Sequence, residues 1–233
     1  MEINEFIDNL KLLGIKPSEK QLEQLEKYYE LLVFWNEKMN LTGITEKKDV
    51  YLKHFYDSLT LAKTIDLNDK SLCDVGSGAG FPGMVLKIIF PKLHVTLIDS
   101  LNKRITFLKE VKKELRLEDI DIYHERAEEY ALKVRDKFDI VTSRAVAALP
   151  VLMEYSVPLA KVNGYFIPMK ANLNEELDSS KKAVKTLNIE LETKEEFKLP
   201  IENSSRTLLK YKKVSKTPSK YPRKYGEIKK RPL

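Results

Sequence analysis

Gly76, Gly78 and Gly80 stand at alternate positions, directly after an apolar run at 72–75 and directly before Phe81-Pro82-Gly83. Glycine lets a backbone take positive φ and come close to a ligand. Pro82 suits a first helical turn, where its missing N–H costs nothing, and the apolar run at 84–90 continues as a helix would. The spacing therefore predicts strand, tight loop and helix. A helix start offers free N–H groups and a partial positive charge, suited to a carboxylate or a phosphate. Gly78-Ala-Gly80-Phe-Pro-Gly83 fits the G-x-G-x-x-G spacing of dinucleotide loops, which a plain glycine-rich turn also meets. Two acidic residues favour a nucleotide ligand. Asp74 precedes the first glycine by two positions, where a dinucleotide strand is usually apolar. Asp99 ends a second apolar run at 95–98, where a carboxylate can take two ribose hydroxyls.

Such residues act together only if the strands that carry them end side by side. Apolar runs at 71–76, 94–99, 120–124, 138–143 and 164–169 alternate with helical patterns at 83–90, 102–117, 127–134 and 149–160. This alternation predicts an α/β fold with a parallel sheet and right-handed crossovers. Ligands of such sheets sit beyond the carboxyl ends of the strands. Asp74 to Gly80, Asp99, Ala127-Glu128 and Arg144 all fall at those ends, and Lys170 ends the fifth strand. After a helix at 173–187, the runs at 189–199 and 207–214 form an antiparallel hairpin. Before the sheet, a helix at 2–13 is followed by one opened by a Ser18–Gln21 capping box. Leu25, Tyr28, Leu32, Trp35 and Met39 make its apolar stripe. That stripe faces either RNA or the main domain, and periodic apolar faces are usually buried. A third helix, 49–65, carries His54 and Asp57.

At these residues the chain resembles the S-adenosylmethionine-dependent methyltransferases. Within them it is similar to the guanine-N7 methyltransferases of small-subunit (16S) ribosomal RNA, the glucose-inhibited division protein B family. The matching segments are Asn40-Leu-Thr42, His54-Phe-Tyr-Asp57-Ser-Leu59, Asp74-Val-Gly-Ser-Gly-Ala-Gly-Phe-Pro-Gly83, Asp99-Ser-Leu101, Arg126-Ala-Glu-Glu129, Ser143-Arg-Ala145 and Tyr221-Pro-Arg-Lys-Tyr-Gly226. They run in order along nearly the whole chain. The resemblance implies a Class I, Rossmann-like domain at 67–214 with a mostly parallel seven-stranded sheet. A helical cap at 1–66 would precede it and a basic tail at 215–233 follow.

The resemblance also implies S-adenosylmethionine as cofactor. The loop 76–80 should then face its amino-acid end with backbone N–H groups, and Asp74 its ammonium or sulfonium edge. Asp99 should lie near the ribose, flanked by Ser100 and Leu101, and Ala127-Glu128 near the adenine. Phe81 and Arg144 join the cofactor shell. His54 and Asp57 either reach the methyl-transfer pocket or serve packing and backbone bonding. Arg144 is expected to position the guanine through O6, a phosphate or the cofactor carboxylate. A donor on N7 would block the reaction. Lys170 either holds a phosphate or is a solvated strand-end lysine.

Exclusion narrows the methylated atom. Carbon-5 of a pyrimidine needs a cysteine nucleophile, and the one cysteine, Cys73, lies inside the first strand. Exocyclic amines usually use an Asn/Asp-Pro-Pro-aromatic segment after the fourth strand, where this chain has Ser143-Arg-Ala-Val146. Guanine N7 carries an in-plane lone pair and no proton, so no general base is required.

The 233 residues, 42% apolar, suffice for one good core. The net charge of +6 is uneven. Between Lys210 and Leu233 there are ten Lys or Arg and one acid, leaving 31 basic and 34 acidic residues before them, so this end carries +9 and the body −3. An acidic partner such as nucleic acid is implied. Tyr221, Arg223 and Lys224 are candidate RNA contacts, with Tyr225 departing from a position usually small in the family. From about Ser215 the Pro- and Lys-rich tail reads as loosely held. One cysteine, an acidic amphipathic start and the lack of a long apolar run predict a cytoplasmic, membrane-free protein. Scattered histidines predict no metal site, and a monomer is expected. The other readings are a nicotinamide-dependent oxidoreductase, a methyltransferase acting on protein or small molecules, and a non-catalytic RNA-binding assembly factor.

Overall fold

The computed structural model describes residues 1–171, 173 and 176–233. Strands β1 (Ser71–Val75), β2 (His94–Asp99), β3 (Ile120–His124), β4 (Phe138–Arg144) and β5 (Ala160–Lys170) are parallel. Strands β6 (Ile189–Lys198) and β7 (Ser205–Lys213) complete the sheet in the order β3-β2-β1-β4-β5-β7-β6. β7 runs antiparallel to both neighbours. The order reverses between β1 and β4, so a crevice opens there at the carboxyl ends. This is the Class I methyltransferase arrangement expected from the sequence.

On one face lie α1 (Ile3–Leu12), α2 (Glu19–Met39), α5 (Gly83–Ile89) and α6 (Asn102–Glu114). The capping box that opens α2 is present: Gln21 N–H donates to Ser18 Oγ at 3.3 Å, and Ser18 N–H to Gln21 Oε1 at 2.8 Å. Its apolar stripe is packing surface, with Leu25, Tyr28 and Leu32 fully buried among Phe6, Val85, Leu97 and Phe107. One continuous core thus joins the helical layer to the sheet. The helical run after α2 is irregular. A short α3 (Lys47–Asp49) leads into a π-helical segment, Val50–Tyr56, then α4 (Asp57–Leu59) and a 3₁₀ turn. Such segments are frequent at functional sites.

The other face is covered by α7 (Ala127–Lys133) and α8 (Leu149–Ser156), then α9 (Glu176–Ser179) and α10 (Lys181–Thr186). The helix predicted at 149–160 is shorter, because Ala160 already pairs with Phe138 in the sheet. The start of the helix predicted at 173–187 falls partly on 174 and 175, which lie outside the described residues. Among the described residues no helix is long and apolar enough to cross a membrane.

The basic tail is not loosely held. Tyr221, Ile228 of α11 (Tyr225–Lys230) and Leu233 are buried in the second core cluster, with Tyr155 and Met153. Arg135 donates to the carbonyls of Thr217 and Tyr221 at 2.9 and 2.6 Å. Each fully buried apolar side chain contributes roughly 1.5–3 kcal/mol, which offsets the flexibility that the charge-rich composition suggests.

Candidate cofactor and methyl-transfer site

A cavity of about 460 Å³ opens at the carboxyl ends of β1, β2, β3 and β4. Gly76, Gly78, Ala79 and Phe81 line its β1 side, Asp99 and Ser100 its β2 side, Ala127 and Glu128 its β3 side, and His54, Arg144 and Val146 the end near β4. Its size is within the usual range of small-molecule sites.

The glycine loop works differently from its sequence reading. Gly76 and Ser77 N–H donate to Ile98 O, Gly78 N–H to Asp99 Oδ2, and Gly80 and Phe81 N–H to Ser77 O. Among these described loop amides only that of Ala79 has no protein acceptor. The loop thus offers one amide and open space. At Gly78, φ is +60° and an added Cβ would meet nothing nearer than Gly76 O at 4.0 Å. This cradle fits an amino-acid end that fills the space. Gly80 does not line the cavity. A Cβ there would strike the Tyr28 hydroxyl and lie 2.9 Å from Met84 Cβ. Its bareness admits Tyr28, which donates to Ala79 O and so ties the helical layer to the loop.

Asp74 also departs from expectation. It is fully buried, does not line the cavity, and accepts the Gly83 N–H at 2.8 Å. The anion at the start of α5 is therefore the chain's own carboxylate. Asp74 Oδ1 has no hydrogen-bond partner among the described residues. Burial raises its pKa from the ordinary value to about 7, against the lowering effect of the Gly83 N–H and the Arg144 charge. A carboxyl raised in the fold contributes stability that is complete below its unfolded pKa and is lost as pH rises through about 7. Asp74→Asn keeps an acceptor for Gly83 and carries no charge. It is expected to raise the Tm more at about pH 8.5 than at about pH 5. Equal shifts at both pH values in a thermal melt would refute this.

Asp99 is buried at the cavity wall. Its carboxylate accepts from Gly78 N at 2.9 Å, Leu101 N at 2.9 Å and Arg104 Nη1 at 3.1 Å. Of about four lone-pair directions, one is left for a ribose hydroxyl. Leu101 contributes that N–H, but its side chain is exposed and outside the cavity.

The β4 end holds a network that the sequence showed only in part. His54 and Asp57, three residues apart on one helical face, both meet Arg144. Arg144 Nη1 donates to Asp57 Oδ2 at 2.8 Å and to Lys53 O at 2.8 Å, while Nη2 lies 3.2 Å from His54 Nδ1. Arg206, on β7, donates through Nε to Asp57 Oδ1 at 2.9 Å. One buried carboxylate thus stands between two guanidiniums. Burial and the Arg144 charge push the His54 imidazole down to about 3, so the ring is neutral near pH 7. A guanidinium only donates, so His54 Nδ1 accepts and Nε2 carries the proton. Nε2 then donates to Thr42 Oγ1 at 2.9 Å, which also accepts from Ile44 N at 3.1 Å. With both Thr42 lone pairs taken, its own O–H is the donor left for the cavity it lines. Phe81 stacks on His54 with ring centroids 4.3 Å apart, and Arg144 Cζ lies 5.4 Å above the Phe81 ring.

Asp57 is positioned behind Arg144 and does not line the cavity. Lys170 is bound to Glu176 at 2.7 Å and to Ala147 O at 3.2 Å, so it is neither a solvated lysine nor a free cation. Arg223 is likewise engaged. Its Nε and Nη2 donate to Glu154 at 2.8 and 2.6 Å, and Glu154 is fully buried. Tyr221 is buried, and Lys224 is exposed. Cys73 is buried in the core, away from the cavity. Arg206 and Tyr155 were not singled out by sequence reasoning, and Arg126 was named only as the start of a matching segment with no role at the site. No local spacing marks them, since each becomes a neighbour of the site only through the topology.

Comparison with known proteins completes the picture. A family model described as GidB, rRNA small subunit methyltransferase G, matches residues 21–207. A ribosomal RNA small subunit methyltransferase G of Bacillus subtilis is 54% identical, covering 100% of this chain and 99% of that protein. One from Lysinibacillus sphaericus is 52% identical and covers 100% of both. Among solved structures, an S-adenosylmethionine-dependent methyltransferase from Aquifex aeolicus shares the fold at a TM-score of 0.53 and 17% identity, covering 71% of this chain and 93% of that one. A ribosomal protein L11 methylase from Lactobacillus delbrueckii does so at 0.54 and 15%, covering 76% and 81%. A match that spans the sheet, the cavity and the helical layer alike places the chain in the rRNA small subunit methyltransferase G family, to which it belongs.

Proposed function

We infer that the protein transfers the methyl group of S-adenosylmethionine to N7 of a guanine in 16S ribosomal RNA of the small subunit. The observation that carries this reading is the cavity at the β1/β4 reversal, polar at three strand ends and flanked by the Arg144–His54–Asp57 network. S-adenosylmethionine, when bound, supplies an electrophilic methyl on a positively charged sulfur. In this reading Ala79 N–H and the space over Gly78 receive the amino-acid end. The remaining Asp99 lone pair takes a ribose hydroxyl, with Ser100 beside it. Ala127 and Glu128 border the adenine.

The acceptor needs orientation more than proton removal, because N7 brings its own lone pair. Catalysis then rests on alignment. The neutral His54 is suited to orient Arg144 and Thr42 rather than to act as a base. The Thr42 hydroxyl and the second N–H of Arg144 Nη2 are donors that suit guanine O6 or a phosphate and leave N7 open. Methyl transfer from a bound sulfonium would leave the net charge of the site unchanged, so the chain's own residues need orient the acceptor and not supply a new counter-charge. The exposed Lys224, Lys229 and Lys230 suit phosphate contact. The substrate and its bacterial ribosome imply a cytoplasmic protein.

Labelled methyl transfer tests this directly. Incubation with 16S rRNA or with assembled small subunits is expected to label RNA and to release 7-methylguanosine on digestion. Label in another nucleoside, in protein, or in nothing would overturn the reading.

A further inference from the structure

We propose that the C-terminal segment forms one wall of the cofactor cavity, with Tyr225 packing against the adenine base. This rests on the cavity reading above, which sets the adenine beside Ala127 and Glu128. By composition the tyrosines of this segment belong to RNA. In the folded chain Tyr225 lines the same cavity as Glu128 and Tyr155.

The ring is held, not merely nearby. Arg126 Cζ lies 4.4 Å from the Tyr225 ring centroid, a cation–π distance. Arg126 Nε is fixed in turn by Glu128 Oε1 at 2.6 Å. Two residues before Tyr225, Arg223 is clamped on the buried Glu154 through its backbone N–H, Nε and Nη2. Three residues after it, Ile228 is fully buried. Tyr225 therefore sits between two anchors at the cavity edge, with its own side chain 39% exposed. An aromatic ring so placed stacks on a purine at little ordering cost. The ligand class it fits is an adenine nucleoside with a 5′ substituent.

Calorimetric titration of the full chain tests this. The probes are S-adenosylhomocysteine and 5′-methylthioadenosine, which keeps the adenosine end and lacks the amino acid. Tyr225→Ala is expected to weaken both by about 10-fold, about 1.4 kcal/mol, because the loss lies at the shared end. Tyr225→Phe keeps the ring and should stay within about twofold of the unchanged protein. Retention of 16S rRNA on a filter should be the same for Tyr225→Ala as for the unchanged chain. Unaltered affinity of Tyr225→Ala for both probes overturns the proposal. So does an equal loss in Tyr225→Phe, or a loss confined to RNA retention. If the unchanged protein binds neither probe, the cavity reading itself fails and the wall falls with it. Normal binding by the unchanged chain and by Tyr225→Ala removes the wall alone.

Discussion

Arg144→Ala is expected to lower the rate of methyl transfer to small-subunit rRNA by about 10²–10³-fold, the usual cost of losing one preorganised donor at a reacting centre. Arg144 satisfies three acceptors at once: Asp57 Oδ2, Lys53 O and His54 Nδ1. Without it the imidazole loses the donor that sets its tautomer, and Thr42 loses a fixed partner. The stability loss should be smaller. Breaking a buried ion pair costs about 3–5 kcal/mol when it strands the partner, but Asp57 still accepts from Arg206 Nε, so about 1–3 kcal/mol is expected. Arg144→Lys separates the two effects. An ammonium can keep Asp57 neutralised, yet a point donor does not span three acceptors. It should recover most of the melting temperature and little of the single-turnover rate. A lysine variant as fast as the unchanged enzyme would remove the network from the chemistry.

The two neighbouring glycines should fail in opposite ways. Gly80→Val puts a β-branched side chain at φ +94°, against the Tyr28 hydroxyl and 2.9 Å from Met84 Cβ. Strain and overpacking each cost ~1–3 kcal/mol, so a loss of about 2–6 kcal/mol and a poorly folded chain are expected. Gly78→Val, at φ +60°, meets only open cavity and should cost the fold ~1–2 kcal/mol. Its effect falls on the ligand. Affinity for S-adenosylhomocysteine should drop at least ~100-fold, about 2.7 kcal/mol. Thermal melts and calorimetry on both variants read the contrast. A stable Gly80→Val, or a Gly78→Val that still binds tightly, would reverse the assignment of the two positions.

That contrast shows what the sequence made legible. Spacing located the loop, the strands that carry Asp99 and Arg144 and the helix start that carries Glu128, because alternating helix and strand patterns fix where carboxyl ends meet. The seven-stranded sheet was implied by the family resemblance; periodicity alone shows five alternating strands and a hairpin. Spacing does not say which way a side chain turns. Asp74, near the end of β1, and Gly80, in the loop, both turn away from the cavity, one bonding Gly83 and the other admitting Tyr28. Nor does it pair distant residues. Arg206 reaches Asp57 only because β7 docks antiparallel on β5. The tail misleads by composition: Tyr221, Ile228 and Leu233 are too sparse among lysines to signal burial, yet each finds a place in the core.

The carboxylate of Asp57 also bears on how the enzyme comes into being. It draws together positions 57, 144 and 206, so the guanidinium pair closes only after β7 has left the ribosome. Contacts of such wide sequence separation form late in folding. A nascent chain that already displays the glycine loop still lacks this clasp. The clasp at Asp57 therefore waits for β7, the strand that carries Arg206.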